Sequence, residues 1–347
     1  MIAIDGAQQS GSGTIVRYAV ACSAILGQPL RLFNARAKRE QPGLRPQHLA
    51  SVLACAEMCQ AKTEGLRVGA REFTFIPRDR LGGGSFAWDI GTAGSATMLA
   101  LSVLPLACFA DDPTTARITG GVFQDFAPSP YHMQYVLAPL LERMGVRMGL
   151  RVVRAGYVPR GAGILELHVT PTQRPLRALN LTEQGHIGRV SGIAFSSHLE
   201  GRRVSERMAC SCEDYLEKAG LSATIERVND TAALHPGASL AVWEESSTAC
   251  MLGADRAGTR GRSSEAIGRF VAEALLADLA RGATVDRHMA DQLVVFAALA
   301  QGISRYLVPY HTDHLASNLW LTSQFGAQVV LQGQQVMIDG LGFCRRA

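Results

Sequence analysis

Lysine is almost missing from this chain of 347 residues: only Lys38, Lys62 and Lys218 occur, so arginine supplies nearly all of the positive charge. The bias itself reads as genome composition, and individual arginines are judged by position, because a planar guanidinium grips phosphate in a way an ammonium does not. The eight cysteines contain no CxxC pair and no Cys/His cluster at zinc spacing, so no zinc module is expected, and most of them lie in apolar helical runs as reduced thiols. There is no run of about 18 apolar residues, so no membrane span is expected. Asp5 and the glycines after it break any secretory signal at the start, and the chain reads as cytoplasmic. The net charge of +4 and pI near 8.7 fall short of a dedicated nucleic-acid domain, for which about 9 or more is usual. An anionic substrate is permitted without being demanded.

Hydrophobic residues make up 47% of the chain, enough for a real core in one large domain or two unequal ones. A strand over 1–4, a glycine-rich loop and a helix over 14–26 open the chain, with Ile15, Ala19, Cys22 and Leu26 at helical spacing. A strand over 29–35, a helix from Pro46 and strands near 66–69 and 72–76 follow. The rhythm then repeats: a helix opening at 92–95 and ending near Phe109, a strand near 115–119, a helix over 129–144, and strands over 147–153 and 163–170. From Gly185 the texture changes, with a helix over 204–219, strands over 222–228 and 238–244, and a helix over 263–279. A helical stripe through Met289, Leu293, Phe296 and Ala300, a helix near 314–325 and two closing strands restore the first style. The expected fold is α/β (α+β). It has a large domain of repeated helix–strand units over 1–184 and 280–347, with sheets covered by helices, and a smaller α/β domain inserted over 185–279.

Several residues suggest chemistry. Thr312 and Asp313 are good N-cap types, so His314 falls in the first turn of a helix, where free N–H groups and the helix dipole favour a phosphate and keep an imidazole neutral. Two plainer readings compete: a polar residue at a helix start, or half of a metal site with His311. Asp291, within an apolar helical run, needs a partner once buried. The loop from Asp5 to Gly13 offers backbone amides to phosphate, as ordinary tight turns also do.

Five segments taken together resemble the RNA 3′-terminal phosphate cyclase family. They are Ile4–Gln8 with its glycine loop and Arg17; Arg36–Arg39 with Pro42-Gly43-Leu44 and Gln47-His48; Gly91–Ser95; Ala290–Leu293; and His314 with Asn318. Their order spans nearly the whole chain. The resemblance implies ATP-dependent conversion of an RNA 3′-terminal phosphate to a 2′,3′-cyclic phosphate, through a covalent histidine–AMP intermediate on His314, assisted by Mg2+ or Mn2+. It implies a nucleotide site at Gln8, Gly11, Gly13, Arg17, Pro128, His288, Asp291 and Gln292, with Asp291 toward the metal. It implies RNA-phosphate contacts at Arg36, Arg39, Gln47 and His48. The partners it implies are ATP and RNA 3′-phosphate ends, with no membrane; the oligomeric state is not legible.

The sequence departs from that pattern at Ser10, where a metal-ligating Glu is usual, and at Leu101, where a Gln near the nucleotide is usual. The segment 155–163 resembles the family signature but has Ala162 where a glycine is expected. These departures keep a second reading open: a weakened paralogue that binds RNA ends or ribosomal RNA without turnover. A third is a small-molecule transferase built from similar repeated units.

Overall fold

In the computed structural model, which describes residues 1–78 and 80–345, one βαβαββ pattern is laid down twice in succession. The first unit runs β1 (Ile2–Asp5), α1 (Gly13–Leu26), β2 (Leu30–Phe33), α2 (Pro46–Cys59), β3 (Lys62–Glu64) and β4 (Phe73–Ile76). The second runs β5 (Gly84–Asp89), α3 (Ala96–Ala107), β6 (Thr114–Gly120), α4 (Pro130–His132), a π turn (Met133–Leu137), α5 (Ala138–Met144), β7 (Arg147–Arg154) and β8 (Gly163–Thr170). Their sheets have the same order, β1-β2-β4-β3 and β5-β6-β8-β7. In each, the first two strands are parallel and the other pairings antiparallel.

The order appears a third time in β9-β14-β16-β15, again with one parallel pair. Its strands are β9 (Asn180–Leu181), β14 (Gln301–Leu307), β15 (Gln328–Gln332) and β16 (Gln335–Leu341). Between β9 and β14 the chain makes a long excursion. It forms β10 (Val190–Ser197), α6 (Val204–Lys218), β11 (Ala223–Asp230), β12 (Gly237–Glu245), β13 (Met251–Ala257) and α7 (Ser264–Leu279), then α8 (Met289–Gln292) and α9 (Val294–Leu299). The excursion has its own sheet, β11-β10-β12-β13, with α6 and α7 packed together. We propose that this block is the inserted unit expected over 185–279, because a parallel crossover in the third unit is interrupted there. After β14 the third unit closes through α10 (Asp313–Gln324).

The repeat explains where the core lies. One helix from each unit packs against α1: α2 and α3 on some sides, α10 on another. Every residue of α1 from Gly13 to Ile25 is buried, which an all-round apolar sequence permits. Ser95 and Thr312 cap α3 and α10 by accepting the N–H groups of Met98 and Leu315.

Some expectations need correction. The strand placed at 66–69 is a turn, since Gly65 and Gly69 both adopt positive φ and Gly69 packs its backbone against Gly43; the real strand, β3, lies just before. Strands β5, β9, β13 and β14 escaped the sequence reading. β5 alternates only between half-buried and exposed residues, with no fully buried face, and β14 starts with three exposed ones, so neither displays an apolar, buried face in its sequence. The helical stripe over 289–300 breaks into α8 and α9 at Leu293.

The signature-like loop holds Ala162 at φ +55. Its carbonyl accepts the Arg154 side chain at 2.9 Å, which pins the conformation. An L-residue there costs about 1–2 kcal/mol relative to glycine, and glycine gives back about 0.4–1 kcal/mol through the unfolded chain. Ala162→Gly is therefore expected to raise stability by about 0.5–1 kcal/mol. Chemical denaturation of the two proteins checks this; an equal or lower midpoint means that the loop is unstrained.

Candidate active site

Arg17 is the sole charged residue of α1 and is only 7% exposed. Its guanidinium makes no hydrogen bond or ion pair with the described residues, and its Nε is sealed from solvent without a partner. Burial pulls its pKa down, and the neighbouring Tyr18 and Asp291 work in the opposite direction. A buried cation left unpaired costs several kcal/mol, so this is a position built to receive an anion.

His314 lies at the second position of α10, behind the Thr312 cap. It is half-buried, and its pKa is lowered to about 4, first by burial, then by the Arg17 and Arg39 cations. The imidazole is thus neutral and unprotonated at neutral pH, free to act as a nucleophile. His311, its partner in the half-metal-site reading, instead contacts the Gly333 carbonyl at 2.6 Å.

Arg17 and His314 stand where two cavities meet. One, of about 480 Å³, is lined by Ser12, Gly13, Arg36, Arg39, Gln47 and His48 and is strongly cationic. The other, of about 460 Å³, is lined by Tyr18, Leu101, Pro128, His288, Asp291 and Gln292 and is more apolar. Phe126 lines both. It is fully exposed and held at φ +64, an uncommon state for a bulky residue and one that turns up at functional sites.

The segments converge through a few hydrogen bonds. Thr14 donates to the Asn318 Oδ1 at 2.9 Å, and Asn318 Nδ2 donates to the Asp291 carbonyl at 2.9 Å and to its carboxyl at 3.3 Å. One side chain thereby ties α1, α10 and α8 together. Ser10 Oγ donates to Ser12 Oγ at 2.9 Å and accepts from Ser317 Oγ at 2.7 Å, which straps the glycine loop to the helix of His314. Asp286 Oδ1 accepts the N–H groups of His288 and Met289, and Oδ2 accepts that of Gly253. Oδ2 also bonds the buried His132 of α4 at 3.0 Å, so this one carboxylate ties α8 to the second unit and, through Gly253, to the inserted block. Asp286 is held down to about 2 despite burial, which opposes it, by the His132 and His288 rings and the N–H groups it accepts.

Not every residue singled out from the sequence reaches the cavities. Gln8 is exposed and donates to Asp5, and Gly11 sits under the Lys38 side chain; neither lines a cavity. Gly13 does, and the reason for its size is His48, whose Nε2 would lie 2.1 Å from a Cβ there. His48 also accepts the Arg45 N–H as part of the α2 cap, and burial with four nearby arginines lowers its pKa to about 2. Gln47 accepts the Ser95 N–H at 3.0 Å, joining α2 to the Gly91–Ser95 segment. Arg36 spends two bonds on the carbonyls of Gln41 and Gly43, while Arg39 is exposed and unengaged. Asp291 is buried, and burial raises its pKa to about 7 against the pull of Arg17. The Gln292 Oε1 is buried without a partner.

Among the described residues no three histidine, cysteine or carboxylate side chains cluster as a metal cage. Asp291 and Asp313 line the apolar cavity, and Ser10 turns its hydroxyl into the chain. Such a set fits a hard cation that takes its other ligands from phosphate oxygens and water, as Mg2+ commonly does. Among the described residues no helix is long and apolar enough to cross a membrane.

Phe126, Tyr18 and Tyr310 were missed from sequence. Phe126 had a signal, an aromatic in the loop before Pro128. The two tyrosines had none, because only the packing of α1 against α10 aims them at one space.

A family model described as RNA 3′-terminal phosphate cyclase matches residues 8–330. The chain is 41% identical over 331 residues to an RNA 3′-terminal phosphate cyclase of Caldivirga maquilingensis, covering 94% of this chain and 92% of that one. It is 39% identical over 324 residues to one of Pyrobaculum neutrophilum, covering 93% and 92%. To one of Pyrococcus abyssi it is 38% identical over 330 residues, covering 95% and 94%. Among solved structures, the enolpyruvyl transferase NikO from Streptomyces tendae aligns at 12% identity with a TM-score of 0.40, over 98% of this chain and 48% of that one. By the extent of the family match and the identity to these relatives, this chain belongs to the RNA 3′-terminal phosphate cyclase family.

Proposed function

We propose that this protein converts an RNA 3′-terminal phosphate to a 2′,3′-cyclic phosphate at the expense of ATP, with His314 carrying the adenylyl group. The observation that carries this reading is the unpaired, buried Arg17 beside a neutral His314, at the meeting point of a cationic and an apolar cavity. The apolar cavity suits a purine base near Pro128, His288 and Leu101. The cationic one suits the RNA phosphate, held by Arg36 and Arg39, with Gly13, Gln47 and His48 shaping its wall.

In this reading the neutral His314 attacks the α-phosphorus of ATP. A phosphorus–nitrogen bond forms, the bond to the leaving pyrophosphate breaks, and the imidazole gives up its proton. Arg17 stabilises the charge that gathers on the phosphoryl oxygens, a term commonly worth several kcal/mol in such sites. The RNA 3′-phosphate next takes the adenylyl group from His314. Its neighbouring 2′-hydroxyl then attacks that phosphorus, AMP departs, and the ring closes. Asp291, with Asp313 nearby, would hold a Mg2+ or Mn2+ that enters on the phosphates and neutralises their charge. The rival reading, RNA binding without turnover, draws on two observations: the Ser10 hydroxyl is committed to Ser12 and Ser317, and Leu101 brings no hydrogen-bonding group to the apolar cavity.

Three outcomes are expected. Incubation with α-labelled ATP and Mg2+ or Mn2+ gives an acid-labile adduct on the wild-type protein and none on His314→Ala; absence of label with every metal leaves the binding role. Asp291→Asn lowers the rate of adduct formation by about tenfold or more, as for loss of a fixed charge beside a transferring phosphoryl group; an unchanged rate removes Asp291 from the chemistry. The His314 imidazole titrates near pH 4 by NMR, and its midpoint moves up in Arg17→Met as a repelling cation is lost. Because the folded pKa is depressed, the nucleophile stays neutral throughout pH 5.5–8 and imposes no acid limb there. A midpoint near 6.5 in the wild type would mean that Arg17 and burial do not act on it.

A further inference from the structure

A third cavity, of about 570 Å³, lies in the inserted block where it meets the signature-like loop, at Tyr157 and Val158. Every charged side chain lining it is an arginine: Arg202, Arg207, Arg260 and Arg262. Arg207 is occupied by Glu265 through two bonds, and Arg262 by Asp125. The side chains of Arg202 and Arg260 are exposed and have no bond or ion pair to the described residues.

Two long helices also begin at this cavity. Val204 opens α6 behind Arg203, which adopts φ +51 and provides no side-chain cap. Ser263 caps α7 by accepting the Ala266 N–H, and the start of that helix lines the cavity. Ser264, at the first position of α7, is only 6% exposed, lines the cavity and has no hydroxyl partner among the described residues. An unpartnered hydroxyl on a mostly buried serine, two unpaired arginines and two helix starts all favour one kind of guest, an anion rich in acceptor oxygens. The floor, made by Leu199, Val204 and Ile267, is apolar. A phosphate attached to a sugar and base therefore fits better than a bare ion.

The site is coupled to the reaction cavity. Asp125, which pairs with Arg262 at 2.8 Å, also lines the cationic cavity that contains His314. The two spaces are bridged by this pair, with Arg262 lining one and Asp125 the other. We propose that this cavity binds a phosphodiester of the RNA strand upstream of its 3′ end, so that the inserted block grips the body of the substrate while its end reacts. The inference rests on the cyclase reading above for the identity of the substrate, and it assigns a role to a part of the chain which that reading leaves idle.

The test uses full-length protein and 5′-fluorescein oligoribonucleotides with 3′-phosphates, three and twelve nucleotides long, in an anisotropy titration. The wild type binds the longer strand at least tenfold more tightly. The double variant Arg202→Ser, Arg260→Ser loses that advantage while binding the short strand as before, and its plot of log affinity against log salt is flatter by about 0.7 for each phosphate contact removed. Ser264→Ala weakens the long strand in the same direction by a smaller factor. Labelling of His314 by ATP is unchanged in these variants, so folding and chemistry are monitored separately. An unchanged long-strand affinity, or an equal loss on both strands, overturns the proposal. Binding of inorganic phosphate at the cavity with no effect of strand length also overturns it, in favour of a free anion. If the wild type shows the length advantage but takes no label from ATP, the site stands and the catalytic reading falls.

Discussion

A guanidinium on a buried helix, without a hydrogen bond or ion pair to the described residues, is the constraint around which the proposed site is organised. The helix α1 is packed along its whole length, so Arg17 reaches out only into the two cavities that it lines. Its field lowers the pKa of His314 and His48 and opposes the rise in Asp291. Burial moves all three groups first, and the same cation then acts on each of them, in the direction that keeps both imidazoles neutral. An arriving phosphate would supply the missing charge, and the free energy of folding has already oriented the group that receives it.

The threefold repeat makes that burial possible. Each βαβαββ unit offers a sheet with helices on one face, and the helices of all three meet at α1. The starts of α1 and α10 belong to the first and third units, and the Phe126 loop to the second. No single unit contains the proposed site, and its precision comes from cross-unit bonds. Asn318 links three helices with one amide, and Ser317 holds the glycine loop through Ser10. The Ser10 departure is accompanied by a local adjustment, since its hydroxyl is integrated into this strap.

The inserted block enters at the parallel crossover of the third unit, where a long connection between β9 and β14 is required anyway. It is fastened by the Gly253 N–H of β13, which donates to Asp286, the carboxylate that also pairs with His132 of the second unit and orients the backbone of α8. The block and the proposed nucleotide pocket are therefore linked through the fully buried Asp286 carboxylate, which also makes a charge-assisted contact with His132. Such contacts are costly to break because either partner would be left charged and unsolvated. A second link, Arg262 with Asp125, joins the basic cavity of the insert to the loop beside the reaction cavity.

Much of this was legible in residue order alone. The helices of the repeated units, the change of texture near Gly185, the helix start at His314 and the positive-φ demand at Ala162 all follow from local rules: apolar period, capping chemistry and Cβ sterics. These depend on neighbours within a few positions. The strands β5 and β14 were not legible, because β5 has no fully buried face and β14 opens with three exposed residues. Nor was it legible that Gln8 and Gly11 would fall outside both cavities, or that His48 would serve as a cap behind Gly13. The sequence by itself determined which residues have the chemistry to hold and attack a phosphate. Only the packing of three units against α1 decided which of them share a space, because burial, and with it the pKa of His314 and the isolation of Arg17, depends on contacts between residues hundreds of positions apart.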